Sequence, residues 1–278
     1  MATKFDRVSG TDEIFNSKEY LADSVIFNSI ESARIEYNYD MYSDHRNVII
    51  LTSKRGHRVW LWTSSTIKDD TNKLIDICRF IRDCKIPQAE IYLKHDVAEN
   101  FSDLYALATL ELNYVVKDEY SLAVYEYDGE EITETAKSND EKIIRIDKDN
   151  EEHVKLVTDF YRALSDEFGW NNKFERKVNE YLDTELYALV KDGKMIANAA
   201  IGSPTEKYLR IKSVAVLDNE RKKGYGYRMC VFVVNKIKER QLTPMLYTHV
   251  GNASAVALWN KAGFIVKDKL YLLKLEDN

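Results

Sequence analysis

Short runs of apolar residues alternate with polar turns along most of this chain, and their spacing predicts a regular series of strands and helices. The elements predicted in the second half are strand Lys142–Asp147, helices Asn150–Phe168 and Lys173–Thr184, strands Leu186–Lys191 and Met195–Gly202 with a hairpin at Asp192-Gly193-Lys194, strand Leu209–Val216, helix Tyr227–Gln241, strand Met245–Val250, a helix between Asn252 and Gly263, and strand Lys269–Leu275.

The first half carries the same order of elements. The predicted elements are strand Arg58–Trp62, helix Asp70–Lys85, strand Ala89–Lys94, helix Ala98–Leu112 and strand Tyr120–Tyr127. Residues 114–118 (Tyr-Val-Val-Lys-Asp) also echo residues 264–268 (Phe-Ile-Val-Lys-Asp). A five-residue echo alone is compatible with coincidence, but the shared order favours a duplicated fold. A polar, acidic stretch divides the halves, which predicts domains at 1–128 and 142–278 with a linker at 129–141.

Composition restricts the class of protein. The 278 residues are 45% hydrophobic and 31% charged, with a net charge of −6. No apolar run is long enough to span a membrane, and the balance of charge does not favour nucleic acid, so we expect neither partner. The cysteines, Cys78, Cys84 and Cys230, lack metal-ligand spacing, which predicts reduced thiols, a cytoplasmic protein and no metal site.

Candidate chemistry lies between the strand that ends at Val216 and the helix that follows. The intervening turn is Arg221-Lys222-Lys223-Gly224-Tyr225-Gly226. Free N–H groups and the dipole at the start of a helix attract anions, and glycines let the backbone approach a phosphate closely. The pattern predicts a diphosphate site, although turns of this kind also use glycine for conformation alone.

A second motif follows at a distance of about one helix and one strand. Residues 252–264 read Asn-Ala-Ser-Ala-Val-Ala-Leu-Trp-Asn-Lys-Ala-Gly-Phe. The pair R-x-x-G-x-G and N-x-x-A-x-x-L-[aromatic]-x-K-x-G-F resembles the GNAT superfamily of acyl-CoA N-acyltransferases, over roughly residues 142–278. The resemblance implies an α/β (α+β) fold with two GNAT-like domains, each a mixed, largely antiparallel sheet flanked by helices.

The resemblance also implies a site for coenzyme A, with acetyl-CoA as co-substrate. The residues it assigns to that site are Val214, Ala215, Val216, Arg221, Lys222, Lys223, Gly224, Tyr225, Gly226, Tyr227, Asn252, Ala255 and Trp259. For Asn252, a plain helix cap is the alternative to this role. The first-half counterpart of the turn, residues 63–70, contains no glycine and ends in two carboxylates, so we expect that copy to have lost its cofactor loop.

Two departures from the family pattern concern acid–base chemistry. Trp259 stands where members often carry a tyrosine acid, and Arg210 is the nearest counterpart of a glutamate base. An indole N–H is a hydrogen-bond donor and not a useful acid. The substitutes that we consider are His249 as base and Tyr247 or Tyr271 as acid, each with a plain packing role as the alternative. Ordered water is a further option for the base.

The sequence therefore predicts transfer of an acetyl or short acyl group to an amine by direct attack. Asp166 and Glu167 lie where the family shapes its acceptor pocket, and a cleft shaped partly by the first half favours a small-molecule amine. A monomer or a homodimer is compatible with the sequence. The alternatives are a non-catalytic acyl-CoA sensor and a nucleotide or phosphate binder unrelated to acyl transfer.

Overall fold

The protein is described by a computed structural model that covers residues 4–35, 39–53, 57–86, 89–109, 114–129, 141–170 and 174–277. The strands are β1 (Asp6–Arg7), β2 (Tyr39–Ser43), β3 (Val48–Ser53), β4 (Arg58–Thr63), β5 (Glu90–Lys94), β6 (Tyr114–Tyr127), β7 (Glu141–Arg145), β8 (Glu185–Lys191), β9 (Lys194–Gly202), β10 (Tyr208–Val216), β11 (Thr243–His249) and β12 (Phe264–Asp277). The helices are α1 (Lys18–Asp23), α2 (Asn28–Ile35), α3 (Thr71–Asp83), α4 (His95–Thr109), α5 (Glu151–Leu164), α6 (Phe174–Leu182), α7 (Tyr225–Lys238) and α8 (Ala253–Lys261).

The chain forms two compact units. The first contains residues 1–124 together with 247–252 and 266–278 from the second half of the sequence. The second contains residues 125–246 and 253–265. The fold is mixed α/β, with largely antiparallel sheets flanked by helices, as the sequence predicts.

The first unit is built on a sheet with the strand order β1-β2-β3-β4-β5-β12. Neighbouring strands run antiparallel except β4 and β5, which are parallel because α3 crosses between them. The apolar positions of α3 recur at helical spacing and are buried against this sheet together with residues of α4. Asp70 caps α3 by accepting a hydrogen bond from the Lys73 N–H at 3.0 Å.

The sheet of the second unit has the strand order β11-β10-β9-β8-β7, in which only the β10–β11 pair is parallel. Leu186 and Ala188 of β8 belong to the core formed with α5 and α6. Tyr187, between them, contacts Phe232 of α7 with the ring centroids 5.1 Å apart. Because successive strand residues point to opposite faces, α7 packs on the face opposite α5 and α6.

Most predicted elements are present with shifted ends. The predicted hairpin is confirmed: β8 and β9 pair antiparallel, and Asp192 and Gly193 both have positive φ, 49° and 73°. Helix α7, which follows the glycine-bearing turn, begins at Tyr225, two residues before the predicted start. The last strand begins at Phe264 instead of Lys269. Residues 130–140 of the predicted linker and residues 110–113 lie outside the described residues.

The cysteines are unpaired, as the sequence predicts. Burial raises the pKa of both Cys78 and Cys230 to about 12, and burial also raises the pKa of the partly exposed Cys84. None of the helices in the described part of the chain has an apolar stretch long enough to cross a membrane.

Candidate functional site

The turn between β10 and α7 ends in a helix start that has no side-chain cap. Gly224 is the N-cap residue with φ +88°, a conformation that glycine adopts without strain. The first N–H to bond within the helix is that of Arg228, which donates to the Gly224 carbonyl at 3.0 Å. The three amides before it, at Tyr225, Gly226 and Tyr227, have no intrahelical acceptor by helix geometry. Free N–H groups at a helix start are the groups that bind an anion in the sites that the sequence analysis predicts.

Gly226 has a different explanation from Gly224. Its φ is not positive, and a Cβ placed on it would make only ordinary contacts, 3.6 Å to Val216 and 3.8 Å to Leu258. The fold therefore has room for a methyl group at this position and does not itself require glycine. The missing side chain leaves space beside the free amides, which is what the close approach of a phosphate needs.

The positive charges of the turn are mostly neutralised within the second unit. Arg221 forms ion pairs with Glu167 and Asp218 and donates to the Val216 carbonyl at 3.2 Å. Lys223 pairs with Glu220 at 3.0 Å. Lys222 forms no ion pair with any described residue and is exposed. Of the three cations of the turn, only the Lys222 ammonium is left without an acidic partner among the described residues.

The Tyr225 side chain is turned into the protein. Its hydroxyl donates to the Glu141 carboxylate at 2.7 Å and accepts from the Lys191 ammonium at 3.2 Å. Arg228 forms a buried ion pair with the same carboxylate. The Tyr225 hydroxyl, together with Arg228 and Lys191, holds the pKa of Glu141 below its usual range. Tyr225 thus offers a ligand its backbone N–H, while its side chain fixes the first turn of α7.

The peptide groups of β10 alternate in direction. Leu217, just after the strand, donates its N–H to the Ile196 carbonyl at 3.0 Å, and Ala215 pairs with Asn198 in the same register. In an antiparallel pair every second residue bonds to the partner strand, so Val214 and Val216 direct their N–H and C=O groups away from β9. The pairing of β10 with β11 runs from Tyr208 to Ile211 in the part of the chain that the structure describes. The Val216 carbonyl already accepts from Arg221, so the groups left to bond an extended ligand are the N–H and C=O of Val214 and the N–H of Val216.

The second motif forms α8 and its flanks. Asn252 directly precedes the helix, and Ala255 is half-buried within it. Trp259 is buried, its ring centroid lies 5.7 Å from that of Phe264, and its indole N–H has no hydrogen-bond partner among the described residues. Lys261 lies over the ring of Tyr227 at 4.8 Å.

The two catalytic candidates belong to the first unit. The Tyr247 hydroxyl donates to the Ile26 carbonyl at 2.7 Å, so its proton is engaged in a structural hydrogen bond. His249 is exposed; partial desolvation of its ring and the Lys274 ammonium lower its pKa from the usual 6.5, and Glu90 opposes them. His249 is thus a neutral imidazole at neutral pH. Tyr271 packs edge-on against His95 at 5.8 Å, which fits its packing alternative.

Charged and polar residues that the sequence analysis missed include Glu141, Lys191, Arg228 and Asn198. Arg228 is a charge on the buried side of α7, and Asn198 interrupts an otherwise apolar strand. Arg228 and Asn198 each stand out in the sequence as a polar residue within an apolar pattern, but the residue that each one bonds lies far away in sequence. No group of His, Cys, Asp and Glu that could hold a metal occurs among the described residues.

In the corresponding turn of the first unit, residues 64–70 between β4 and α3, backbone N–H groups bond to acceptors of the same unit. A carboxylate oxygen of Glu19 accepts from the Ser65 N–H, and the Ser64 N–H donates to the Asn47 carbonyl at 2.8 Å. Asp70 caps the following helix with its side chain. The amides of Ser64, Ser65 and Lys73 are therefore already hydrogen-bonded, in contrast to those at the start of α7.

Comparisons with known proteins agree with the fold and with the motifs. Residues 154–264 match the Acetyltransferase (GNAT) family. Among solved structures, a Drosophila melanogaster protein superposes with a TM-score of 0.68 at 12% identity, covering 99% of each chain. A GCN5-related N-acetyltransferase from Sphaerobacter thermophilus gives a TM-score of 0.64 at 12% identity, covering 99% of this chain and 95% of that one.

A tandem GNAT protein from the clavulanic acid biosynthesis pathway gives a TM-score of 0.54 at 9% identity, covering 98% of each chain. A search of curated protein sequences gives no match. Residues 154–264 therefore carry a GNAT acetyltransferase domain, and the chain as a whole shares the fold of a tandem GNAT protein. Acyl-CoA-dependent acyl transfer is the reaction class that this family implies.

Proposed function

We propose that this protein transfers an acetyl or short acyl group from acyl-CoA to the amine of a small-molecule acceptor. The observation that carries the proposal is the uncapped start of α7, where three amides are free of intrahelical bonds and Gly226 leaves room that the fold does not use. The donor is acetyl-CoA in the simplest case, and transfer is direct, without a covalent enzyme intermediate.

The proposed donor site uses both motifs. The free amides of α7 hold the diphosphate, with Lys222 as the unpaired cation nearby in sequence. The outward N–H and C=O of Val214 and the outward N–H of Val216 bond the pantetheine arm, and one of these N–H groups polarises the thioester carbonyl. The remaining residues assigned to the donor are Ala215, Arg221, Lys223, Gly224, Tyr225, Tyr227, Asn252, Ala255 and Trp259.

Proton transfer is assigned to His249. A neutral amine attacks the thioester carbonyl of acetyl-CoA: the C–N bond forms, the C–S bond breaks, and its electron pair leaves on the coenzyme A sulfur. The amine nitrogen gives up one proton and the departing thiolate takes up one, so the products are the amide and the free thiol of coenzyme A. A neutral imidazole with lowered pKa can accept the amine's proton near pH 7. Tyr247 is the weaker candidate, because its hydroxyl proton is bonded to the Ile26 carbonyl.

The test of the donor site is calorimetric titration of the purified protein with acetyl-CoA and with coenzyme A. Micromolar binding of both is the expected result, followed by release of free thiol when a panel of small amines is added. Failure of the protein to bind either ligand would overturn the proposal.

The test of the base is the pH dependence of kcat/KM in the wild type and in His249→Gln. The wild-type acid limb is expected below pH 6.5, since protonation of His249 removes the base and its pKa is lowered. His249→Gln should lose this limb and about a hundredfold in kcat/KM. An unchanged limb in the variant would assign the base to water or to another group.

A second candidate is a sensor that binds acyl-CoA without turnover. Two observations favour it: the Tyr247 hydroxyl is engaged by Ile26, and position 259 carries an indole instead of a phenol. The sensor predicts tight binding with no thiol release for any amine, whereas the enzyme predicts turnover with at least one.

A further inference from the structure

Asn198 is a polar residue in the most deeply buried part of β9. The strand is buried from Met195 to Ile201, and every other residue in that run is apolar. Burying an amide costs free energy unless both of its ends are hydrogen-bonded. Asn198 meets that condition: its Oδ1 accepts from the Ala215 N–H at 3.0 Å, and its Nδ2 donates to the Tyr161 hydroxyl at 2.9 Å. An apolar residue would fill the same space, so the amide contributes geometry and not merely packing.

The geometry that Asn198 contributes concerns a neighbouring carbonyl. The Ala215 N–H and the Val214 C=O belong to one planar trans peptide group and point in opposite directions. By holding the Ala215 N–H on the β9 side, Asn198 fixes the Val214 C=O towards the opposite edge of β10. That edge is the one where Val214 and Val216 offer their peptide groups.

The other end of the amide is anchored firmly. Tyr161 is fully buried, and its ring stacks on Tyr181 with centroids 4.6 Å apart and lies 5.1 Å from Trp170. Burial raises the pKa of Tyr161 well above its usual value, so the hydroxyl stays neutral and available as an acceptor. The position of Asn198 is thereby set by the packing of α5 and α6.

We infer that Asn198 is a positioning residue for the donor arm, because it holds the Val214 carbonyl in place to accept an amide N–H of pantetheine. This inference rests on the proposed function, since it assumes that coenzyme A binds along β10. It predicts that the loss of Asn198 affects the pantetheine part of the ligand and leaves the nucleotide part unaffected.

The experiment compares two ligands by calorimetry: coenzyme A, and adenosine 3′-phosphate 5′-diphosphate, which carries the diphosphate without the pantetheine arm. The variant is Asn198→Leu, which keeps the branched shape and removes both hydrogen bonds. The expected result is about tenfold weaker binding of coenzyme A, with the affinity for the nucleotide fragment changed by less than about twofold. Met195→Leu, a core change at the other end of the same strand, should leave both affinities at the wild-type level.

Three outcomes would overturn the inference. Equal weakening of both ligands in Asn198→Leu would mean a general structural role, and unchanged binding of both would mean no role in donor binding. If the wild type binds neither ligand, the proposed function itself fails and the inference fails with it, a result that differs from the first two.

A milder variant covers the case in which Asn198→Leu does not fold, as judged by circular dichroism and thermal melting. Tyr161→Phe removes the hydroxyl that anchors Asn198, together with that hydroxyl's hydrogen bonds to Ser213 and Tyr181. It should weaken coenzyme A about threefold and leave the nucleotide fragment unaffected. Unchanged affinity for coenzyme A in folded Tyr161→Phe would then overturn the inference.

Discussion

The strand-to-helix turns of the two units use carboxylates in opposite ways. In the first unit the Glu19 carboxylate accepts a hydrogen bond from the Ser65 N–H, and the Asp70 side chain caps the next helix. In the second unit Glu141 bonds the side chains of Tyr225 and Arg228, and the backbone amides of the first turn stay free. An acidic group near a helix start therefore occupies backbone N–H groups when it bonds the backbone. It leaves them free when it bonds side chains.

The comparison also shows that local charge is a poor guide to an anion site. The turn of the second unit is rich in Lys and Arg, but Arg221 and Lys223 are paired with acidic neighbours. What separates the two turns is the availability of backbone N–H groups, which depends on the cap residue. Glycine at the cap leaves all three amides of the first turn available, whereas the Asp70 side chain occupies the Lys73 N–H.

The largest effect is expected from Gly224→Asp, which gives the second turn the cap of the first. The new carboxylate would accept from the free amides and repel phosphate, so coenzyme A affinity should fall at least about a hundredfold. Gly193→Asp is the matched control, because Gly193 also has positive φ, +73°, with open space where a Cβ would be added. Both variants should lose similar stability in thermal melting, but only Gly224→Asp should lose binding by calorimetry.

A smaller effect is expected from Lys222→Ala. Lys222 has no ion-pair partner among the described residues, so its charge is fully available to a phosphate, whereas Lys223 is offset by Glu220. Coenzyme A affinity should fall about fivefold in Lys222→Ala at low salt and less in Lys223→Ala, with the difference shrinking as salt rises. A larger loss of coenzyme A affinity in Lys223→Ala than in Lys222→Ala would contradict this expectation. It would show that the Lys223–Glu220 ion pair of the free protein does not reduce the contribution of Lys223 to binding.

Gly226→Ala should move stability and affinity in opposite directions. Alanine is the better helix former and its Cβ fits the fold, so the free energy of unfolding should rise by about 0.5–1 kcal/mol. The methyl group would narrow the approach to the free amides, so coenzyme A should bind about threefold more weakly. Denaturant unfolding and calorimetry measure the two quantities. A rise in stability with unchanged affinity would mean that the space beside Gly226 is not used.

The smallest effect is expected from Glu19→Gln in the first unit. A neutral amide oxygen replaces the carboxylate on the Ser65 N–H, so the free energy of unfolding should fall by about 0.5 kcal/mol. Coenzyme A affinity should not change, because this turn holds no phosphate in our proposal. An altered affinity would contradict the assignment of the donor site to the second turn alone.

Much of the second half could be predicted from sequence because its signals are local. The alternation from Leu209 to Val216 and the glycines at 224 and 226 identified β10, α7 and the turn between them. The start of α7 at Tyr225 was missed because glycine at 226 argues against helix, whereas the first turn is held by Glu141, a residue 84 positions away.

The remaining features depend on contacts that no local pattern reveals. The roles of Asn198 and Glu141 follow from tertiary partners, and the membership of residues 247–252 and 266–278 in the first unit follows from packing. The strands before residue 57 were not predicted at all, although β3 is an apolar run buried almost throughout.

The buried thiols have a practical consequence for measuring turnover. Only a thiolate reacts readily with a disulfide dye, and at pH 8 Cys78 and Cys230 stay protonated because burial raises the pKa of each to about 12. The pKa of Cys84 is raised as well. In a colorimetric assay for released coenzyme A, folded protein therefore adds no colour from Cys78 or Cys230, and the background to subtract is that of the partly exposed Cys84 and of thioester hydrolysis.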